Sequence, residues 1–150
     1  MLNVGEQAPE FSLPDQTGAV RTLGELCAAG ALILYFYPAD FTPVCTAEAC
    51  AFRDNYDGVE TLGLQVVGVS PQDAATHARF ANQFRIPFPL LADPHKTAIR
   101  SYGVDGPLGF GVRRATFHID QQGVVQNRVV ADFFVHSHLE LLRATVAGRQ

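Results

Sequence analysis

Two of the three cysteines in this 150-residue chain lie close together, in the segment YPADFTPVCTAEAC at positions 37–50. Cys45 and Cys50 are five positions apart. Structural zinc sites usually place cysteines about two to four residues apart with a second ligand pair elsewhere, and dithiol redox motifs use Cys-x-x-Cys. The spacing fits neither pattern, so the two thiols need another explanation.

The residues around the first cysteine predict the beginning of a helix. Pro43 suits a first helical position, because its missing N–H costs no hydrogen bond there, and Thr42 before it is a favoured N-cap. Cys45 then falls in the first turn, where unpaired backbone N–H groups and the helix dipole stabilise an anion. The position makes Cys45 a candidate thiolate nucleophile.

The second cysteine lies further along the same predicted helix. Five helical residues rise about 7.5 Å and turn about 140°, so the two Cα atoms would be roughly 8–9 Å apart on different faces. A disulfide requires Cα atoms within about 7 Å. Cys45 and Cys50 can therefore react with each other only if the first helical turn unwinds. The alternative, that Cys50 is a small buried packing residue, stays open at this point.

Apolar runs alternate with helical patterns along the whole chain. Turns at DQTG and QQG predict an N-terminal hairpin and an antiparallel final strand pair. Strands are predicted in ALILYFYP, LQVVGVSP, FPLLAD, RRATFHID and VVQNRVVADF, and helices in VCTAEACAFRDNYDGV, DAATHARFANQFR, HKTAIRSYGV and SHLELLRATVAG, the last with Ser137 as N-cap. This order predicts an α/β, thioredoxin-like fold with a central mixed β-sheet flanked by helices and an N-terminal β-hairpin, in one domain over residues 1–150.

Composition narrows the possible partners. The formal net charge is −4 and no basic run occurs, which argues against nucleic acid or an anionic membrane as a partner. No apolar run approaches the roughly 20 residues that span a bilayer, and MLNVGEQAPEF lacks the pattern of a signal peptide. With an odd number of cysteines, these features predict a cytoplasmic protein. His136 and His138 lack the spacing of a metal site, so no metal is expected.

The cysteine segment as a whole resembles a known family. YFYPADFTPVCTAEACAFRD is similar to the active-site segment of peroxiredoxins, whose Pro-x-x-x-Thr-x-x-Cys pattern is matched by Pro38, Thr42 and Cys45. Its continuation resembles the bacterioferritin comigratory protein, or Q-type, group, in which a resolving cysteine follows the peroxidatic cysteine by five residues. The segments VGEQAPEFSLPDQTG, VVGVSPQD, FPLLADPHKTAIRSYGV and RRATFHIDQQG resemble other family blocks in the same order.

The resemblance implies a thiol-dependent peroxidase without metal or organic cofactor. Cys45 would reduce hydrogen peroxide or an organic hydroperoxide and become a sulfenic acid, and Cys50 would resolve it as an intramolecular disulfide after local unwinding. A thioredoxin-like donor would reduce that disulfide. Val44 stands where the Q-type pattern usually has glycine, so a one-cysteine peroxidase that uses an external thiol is an alternative, as is a non-enzymatic redox sensor. A disulfide reductase is disfavoured by the spacing, and a monomer or weak dimer is expected.

The resemblance also implies roles for four further residues. Pro38 would shape the loop that shields the site, and the Thr42 hydroxyl would hydrogen-bond the thiolate and the peroxide. Arg114 would hold Cys45 as a thiolate and stabilise charge on the leaving oxygen. Glu48 would anchor the arginine, with a solvated helix charge as the alternative.

Two residues compete with these assignments or fall outside them. Arg113 is a competing choice for the arginine, but neighbouring side chains on a strand point to opposite faces, so only one of the two can serve. Cys27 matches no family motif and is interpreted as a small packing residue.

Overall fold

The computed structural model describes residues 1–131 and 135–148. In chain order the elements are β1 (Ser12–Pro14), β2 (Val20–Thr22), α1 (Leu23–Ala29), β3 (Leu32–Phe36), α2 (Pro43–Asp54), α3 (Tyr56–Thr61), β4 (Gln65–Ser70), α4 (Ala74–Phe84), β5 (Leu90–Ala92), α5 (Thr97–Ser101), a 3₁₀ turn (Pro107–Gly109), β6 (Ala115–Ile119), β7 (Val125–Val130) and α6 (Val135–Ala147).

A five-stranded mixed sheet in the order β5-β4-β3-β6-β7 forms the centre, and β1 and β2 form a separate antiparallel hairpin. The first three strands of that order are parallel, while β6 runs antiparallel to β3 and β7 antiparallel to β6. Phe36 pairs with Ala115, so the C-terminal end of β3 lies beside the start of β6. The predicted thioredoxin-like fold, its hairpin and its antiparallel final pair are confirmed.

The central strand β3 divides the core into two halves because its side chains alternate between the faces of the sheet. Leu32, Leu34 and Phe36 pack in a cluster with apolar residues of α1, α5 and the hairpin. Ile33 and Tyr35 pack in a second cluster with residues of α2, α4 and α6, and Cys45 belongs to this second cluster. Both faces of β3 are buried, as its continuous apolar run predicts.

Several predicted boundaries are wrong. Helix α1 was not predicted, and the helix expected over VCTAEACAFRDNYDGV is broken at Asn55 into α2 and α3. Ser137 is not an N-cap, because α6 already begins at Val135. The strand expected to run to Phe133 ends at Val130, and Asp132 and Phe133 lie outside the described residues.

Candidate active site

The first turn of α2 presents Cys45. Thr42 occupies the N-cap position and Pro43 the first helical position, as predicted. The N–H groups of Val44 and Cys45 precede the first intrahelical hydrogen bond, which Thr46 N donates to Thr42 O over 2.9 Å. Cys45 therefore lies at the positive end of the helix dipole, and its side chain is buried.

The Thr42 side chain does not cap the helix, which corrects the expected hydrogen bond. Its hydroxyl instead donates to the carbonyl oxygen of Ala39 over 3.0 Å, a hydrogen bond within the loop before α2. The residue is exposed, at the outer edge of the loop. Pro38 lies half-buried in the same loop, directly after β3 and Tyr37.

Arg114 reaches the sulfur from the neighbouring strand. It directly precedes β6, and the pairing of β6 with β3 brings it beside the loop that leads to α2. Its Nη2 donates to Cys45 Sγ over 3.1 Å, and its Nη1 donates to Glu48 Oε1 over 2.9 Å. The planar guanidinium thus uses two nitrogens for two acceptors. These contacts belong to Arg114 rather than to its competitor Arg113.

Glu48 is buried on α2, three residues after Cys45, so a solvated helix charge is the wrong interpretation. Burial raises the pKa of Glu48 from 4.5 to about 7, although the Arg114 guanidinium acts in the opposite direction. Burial lowers the pKa of Arg114, but the Glu48 carboxylate and the Cys45 sulfur outweigh this effect and leave the pKa raised. The arginine therefore stays charged between its two acceptors.

A histidine from α6 adjoins this group. His138 Nδ1 lies 3.5 Å from Glu48 Oε2 and 2.6 Å from Thr116 Oγ1. Its Nε2 lies 2.9 Å from Ala131 O. The sequence spacing makes His138 no more than a weak metal-ligand candidate, and no local pattern indicates its place beside Glu48.

The loop before α2 is held by a second buried network that sequence reasoning missed. Asp40 Oδ1 accepts from the Tyr37 hydroxyl over 2.6 Å, and Asp40 Oδ2 lies 2.5 Å from His77 Nδ1. The next residue, Phe41, has a φ of 66°, a strained value for an aromatic residue. Its ring packs edge-on against Phe80 of α4, with the centroids 5.3 Å apart.

The remaining cysteines occupy different surroundings. Cys50 is half-buried on α2, which is continuous from Pro43 to Asp54, and all three thiols are unpaired. The helix therefore keeps the two thiols apart, as the spacing argument requires. Cys27 lies in the core on the opposite side of the sheet, where burial raises the pKa of its thiol, as suits a packing residue.

The two histidines of α6 do not act together. The His136 side chain is exposed and forms an ion pair with Glu140 over 3.7 Å, whereas His138 is fully buried. Within residues 1–131 and 135–148, no three His, Cys, Asp or Glu side chains are grouped so that they could hold a metal ion.

A helix N-terminal thiol that contacts a buried arginine, set on a thioredoxin-like fold with an N-terminal hairpin, defines a peroxiredoxin-type protein. The chain belongs to the AhpC/TSA family, which residues 4–128 match. The similar proteins include members of the Q-type peroxiredoxin group.

Three relatives illustrate the similarity. The chain is 40% identical to the chloroplastic peroxiredoxin Q of Arabidopsis thaliana over 93% of its own length and 64% of that protein. Its sequence is 36% identical to that of the peroxidoxin BcpB of Mycobacterium tuberculosis. The crystal structure of that protein matches with a TM-score of 0.92, over 100% of this chain and 99% of the other. It is 26% identical to the Xanthomonas campestris bacterioferritin comigratory protein, described for its alkyl peroxide reduction activity, with a TM-score of 0.84 and coverage of 93% and 92%.

The chain spans less than two thirds of the length of the first plant relatives, with 64%, 58% and 65% for those of Arabidopsis thaliana, Triticum aestivum and Populus jackii.

Proposed function

We propose that this protein is a thiol-dependent peroxidase in which Cys45 reduces the hydroperoxide. The contact of Arg114 Nη2 with Cys45 Sγ, 3.1 Å long and anchored through Nη1 by Glu48, carries this proposal. A guanidinium in a buried site favours the ionised sulfur and is already in place for negative charge that develops on oxygen. Membership of the AhpC/TSA family supports the same activity.

The oxidising step transfers two electrons from sulfur to the O–O bond. The Cys45 thiolate attacks the terminal oxygen of R–O–O–H, an S–O bond forms, and the O–O bond breaks. The products are the Cys45 sulfenic acid and an alkoxide or hydroxide, which takes up one proton to become alcohol or water. Arg114 would stabilise the charge on that leaving oxygen until the proton arrives.

The resolving step condenses the sulfenic acid with the Cys50 thiol. An S–S bond forms and one water molecule leaves. Because α2 is continuous through both residues, its first turn must unwind before the sulfurs can meet. A thioredoxin-like dithiol then takes over the disulfide by exchange and restores both thiols.

Two residues of the loop are assigned supporting roles in this reaction. Thr42 is exposed three positions before Cys45, and its hydroxyl would hydrogen-bond the incoming peroxide, because it can accept while it donates to Ala39 O. Pro38 would hold the loop in shape without presenting an N–H group to the site. Neither residue contacts the sulfur in the described hydrogen bonds, so both roles depend on bound substrate.

The expected substrates are hydrogen peroxide and organic hydroperoxides, and the alkyl peroxide activity of the Xanthomonas campestris relative supports the second class. A cytoplasmic location and a monomeric or weakly dimeric state are also part of the proposal, although plant relatives are chloroplastic. In the described residues, no helix has the length and apolar character to cross a membrane.

Mass spectrometry of the reduced protein after one equivalent of peroxide tests the function. We expect loss of two hydrogens and a Cys45–Cys50 link within seconds. Cys45→Ser should abolish peroxide consumption, whereas Cys50→Ser should accumulate the sulfenic acid on Cys45, which a second equivalent of peroxide would oxidise to the sulfinic acid. Cys27→Ala, in the other half of the core, is the matched control and should behave like the unmodified chain.

The same experiment separates the alternatives. A rapid oxidation that stops at the sulfenic acid in the unmodified chain would indicate a one-cysteine peroxidase. Thiol loss at the rate of a small free thiol would contradict the peroxidase proposal altogether.

A further inference from the structure

The charges of the buried site do not balance when only the expected residues are counted. Cys45, Glu48 and Arg114 are all buried. An ionised Cys45 and an ionised Glu48 place two negative charges against the one positive charge of Arg114. A net charge in a buried site is costly unless a further partner or a proton compensates it. The site therefore requires one more positive charge.

His138 is the group in position to supply that charge. It is fully buried, and its Nδ1 lies 3.5 Å from Glu48 Oε2, the carboxylate oxygen that Arg114 does not use. Glu48 Oε2 makes no closer hydrogen bond in the described part of the chain. The contact thus pairs a carboxylate oxygen that lacks a hydrogen bond with an imidazole nitrogen.

Hydrogen-bond accounting shows why a proton belongs in this contact. His138 Nε2 lies 2.9 Å from Ala131 O, and because a carbonyl only accepts, Nε2 must carry a hydrogen. If His138 Nδ1 and Glu48 were both unprotonated, the lone pairs of Nδ1 and Oε2 would face each other in a buried site of low dielectric constant, where their repulsion is weakly screened. The Thr116 hydroxyl, 2.6 Å from Nδ1, can donate or accept and so suits either form of the ring.

We propose that His138 is a positioning residue that shares one proton with Glu48, so that the Cys45 thiolate, Arg114, Glu48 and His138 together carry no net charge. The inference rests on the proposed peroxidase function. It adds helix α6 to the site, through a residue that acts by way of Glu48. When the proton lies between His138 and Glu48, the guanidinium of Arg114 can interact mainly with the Cys45 sulfur and with the charge that develops on the peroxide oxygen.

Among the described residues, the groups near this pair come from α2, β3 and the region of β6. Cys45 is on the same helix as Glu48. Arg114 directly precedes β6, Thr116 lies in β6, and Tyr35 comes from β3. Burial raises the pKa of Glu48 to about 7, so this carboxyl group holds a proton more readily than an exposed glutamate does. Loss of that proton would leave Glu48 fully negative and in competition with the sulfur for Arg114.

A direct test follows the His138 ring by ¹⁵N NMR of the reduced protein during a pH titration. In the Glu48→Gln variant the midpoint of the His138 titration should fall by about one pH unit or more, because no carboxylate remains to hold the proton. An unchanged midpoint would overturn the proposal. This measurement needs no change at His138 and no peroxide, so it stands whether or not the peroxidase proposal holds.

A kinetic test uses a double-mutant cycle on the rate constant for peroxide. His138→Gln should lower it about tenfold in the unmodified chain, through loss of a charge-assisted contact, and less than about twofold in the Glu48→Gln background. Equal losses in both backgrounds would show a merely structural role and refute the inference. His136→Gln, two residues away and exposed, is the matched control and should leave the rate unchanged.

Discussion

The guanidinium of Arg114 offers the sharpest test of the site. Arg114→Met keeps an unbranched apolar stem but removes the guanidinium, and with it the 3.1 Å contact with Cys45 Sγ and the 2.9 Å contact with Glu48 Oε1. Removal of one preorganised donor of this kind costs about 3–4 kcal/mol of transition-state stabilisation. We therefore expect the second-order rate constant for hydrogen peroxide to fall by about 10²–10³.

A second substitution at Arg114 separates the effect of its positive charge from the effect of its planar shape. Arg114→Lys retains a positive charge, but an ammonium is a compact group that cannot present two fixed nitrogens to two acceptors. It should restore part of the rate, so that the loss is only about tenfold. Arg113→Met removes the same charge one residue away and should change the rate by less than about threefold, which makes it the matched control.

The assay must account for composition and stability. The chain has no tryptophan, so the rate is best followed by rapid quenching with an alkylating reagent and mass spectrometry of Cys45. Arg114→Met leaves Glu48 buried without its cation, which costs about 3–5 kcal/mol of stability. Arg114→Met with Glu48→Gln removes both charges and keeps the test valid if the single variant unfolds. A folded variant of either kind that reacts at the original rate would refute the assigned role of Arg114.

Three further expectations concern stability and opening. Burial raises the pKa of Glu48 from 4.5 to about 7, so the folded state binds the proton of this carboxyl group more tightly than the unfolded state does. The free energy of unfolding should therefore fall by roughly 3 kcal/mol as the pH rises from 4.5 to about 7. Urea unfolding at several pH values should show this slope, and Glu48→Gln should lack it. Asp40→Asn weakens the contacts with Tyr37 and His77, so amide hydrogen exchange at the start of α2 should accelerate about tenfold or more. Gly68→Ala would place a Cβ 2.8 Å from Tyr35 Cζ and should cost about 1–3 kcal/mol in denaturant unfolding.

Each of these expectations has a control in the chain. Glu140→Gln changes an exposed carboxylate and should keep the pH slope, and a slope that persists in Glu48→Gln would contradict the assignment. Asp54→Asn changes a solvent-exposed ion pair and should leave exchange at the start of α2 unaltered. Gly58→Ala adds a methyl group in open space on a helix, so a loss equal to that of Gly68→Ala would disprove the steric argument.

Local patterns predicted the strands well because each depends on a short run of neighbouring residues. The apolar run at β3 and the turn residues before β2 and β7 act over a few positions, and the structure has these elements there. The unpredicted α1 also has a local signal: Thr22 accepts a hydrogen bond from Glu25 N, in the Thr-x-x-Glu pattern of a capping box.

Helix ends were predicted less well because they depend on which of several competing local hydrogen bonds forms. Asn55 breaks the long predicted helix where its side chain donates back to Ala51 O. Thr42 has the residue type of an N-cap, yet its hydroxyl bonds to Ala39 because the loop folds back before α2. Residue type alone does not decide between such competing hydrogen bonds.

The sequence by itself determined the order of strands and helices and the place of Cys45 in the first turn of a helix, since both follow from neighbouring residues. Only the tertiary structure decided which side chains surround the sulfur. Arg114 and Cys45 are 69 positions apart, Asp40 and His77 are 37 apart, and Thr116 and His138 are 22 apart. Their contacts arise because antiparallel pairing of β6 with β3 and packing of α4 and α6 on one face of the sheet bring distant residues together in a buried space, where charges must find partners.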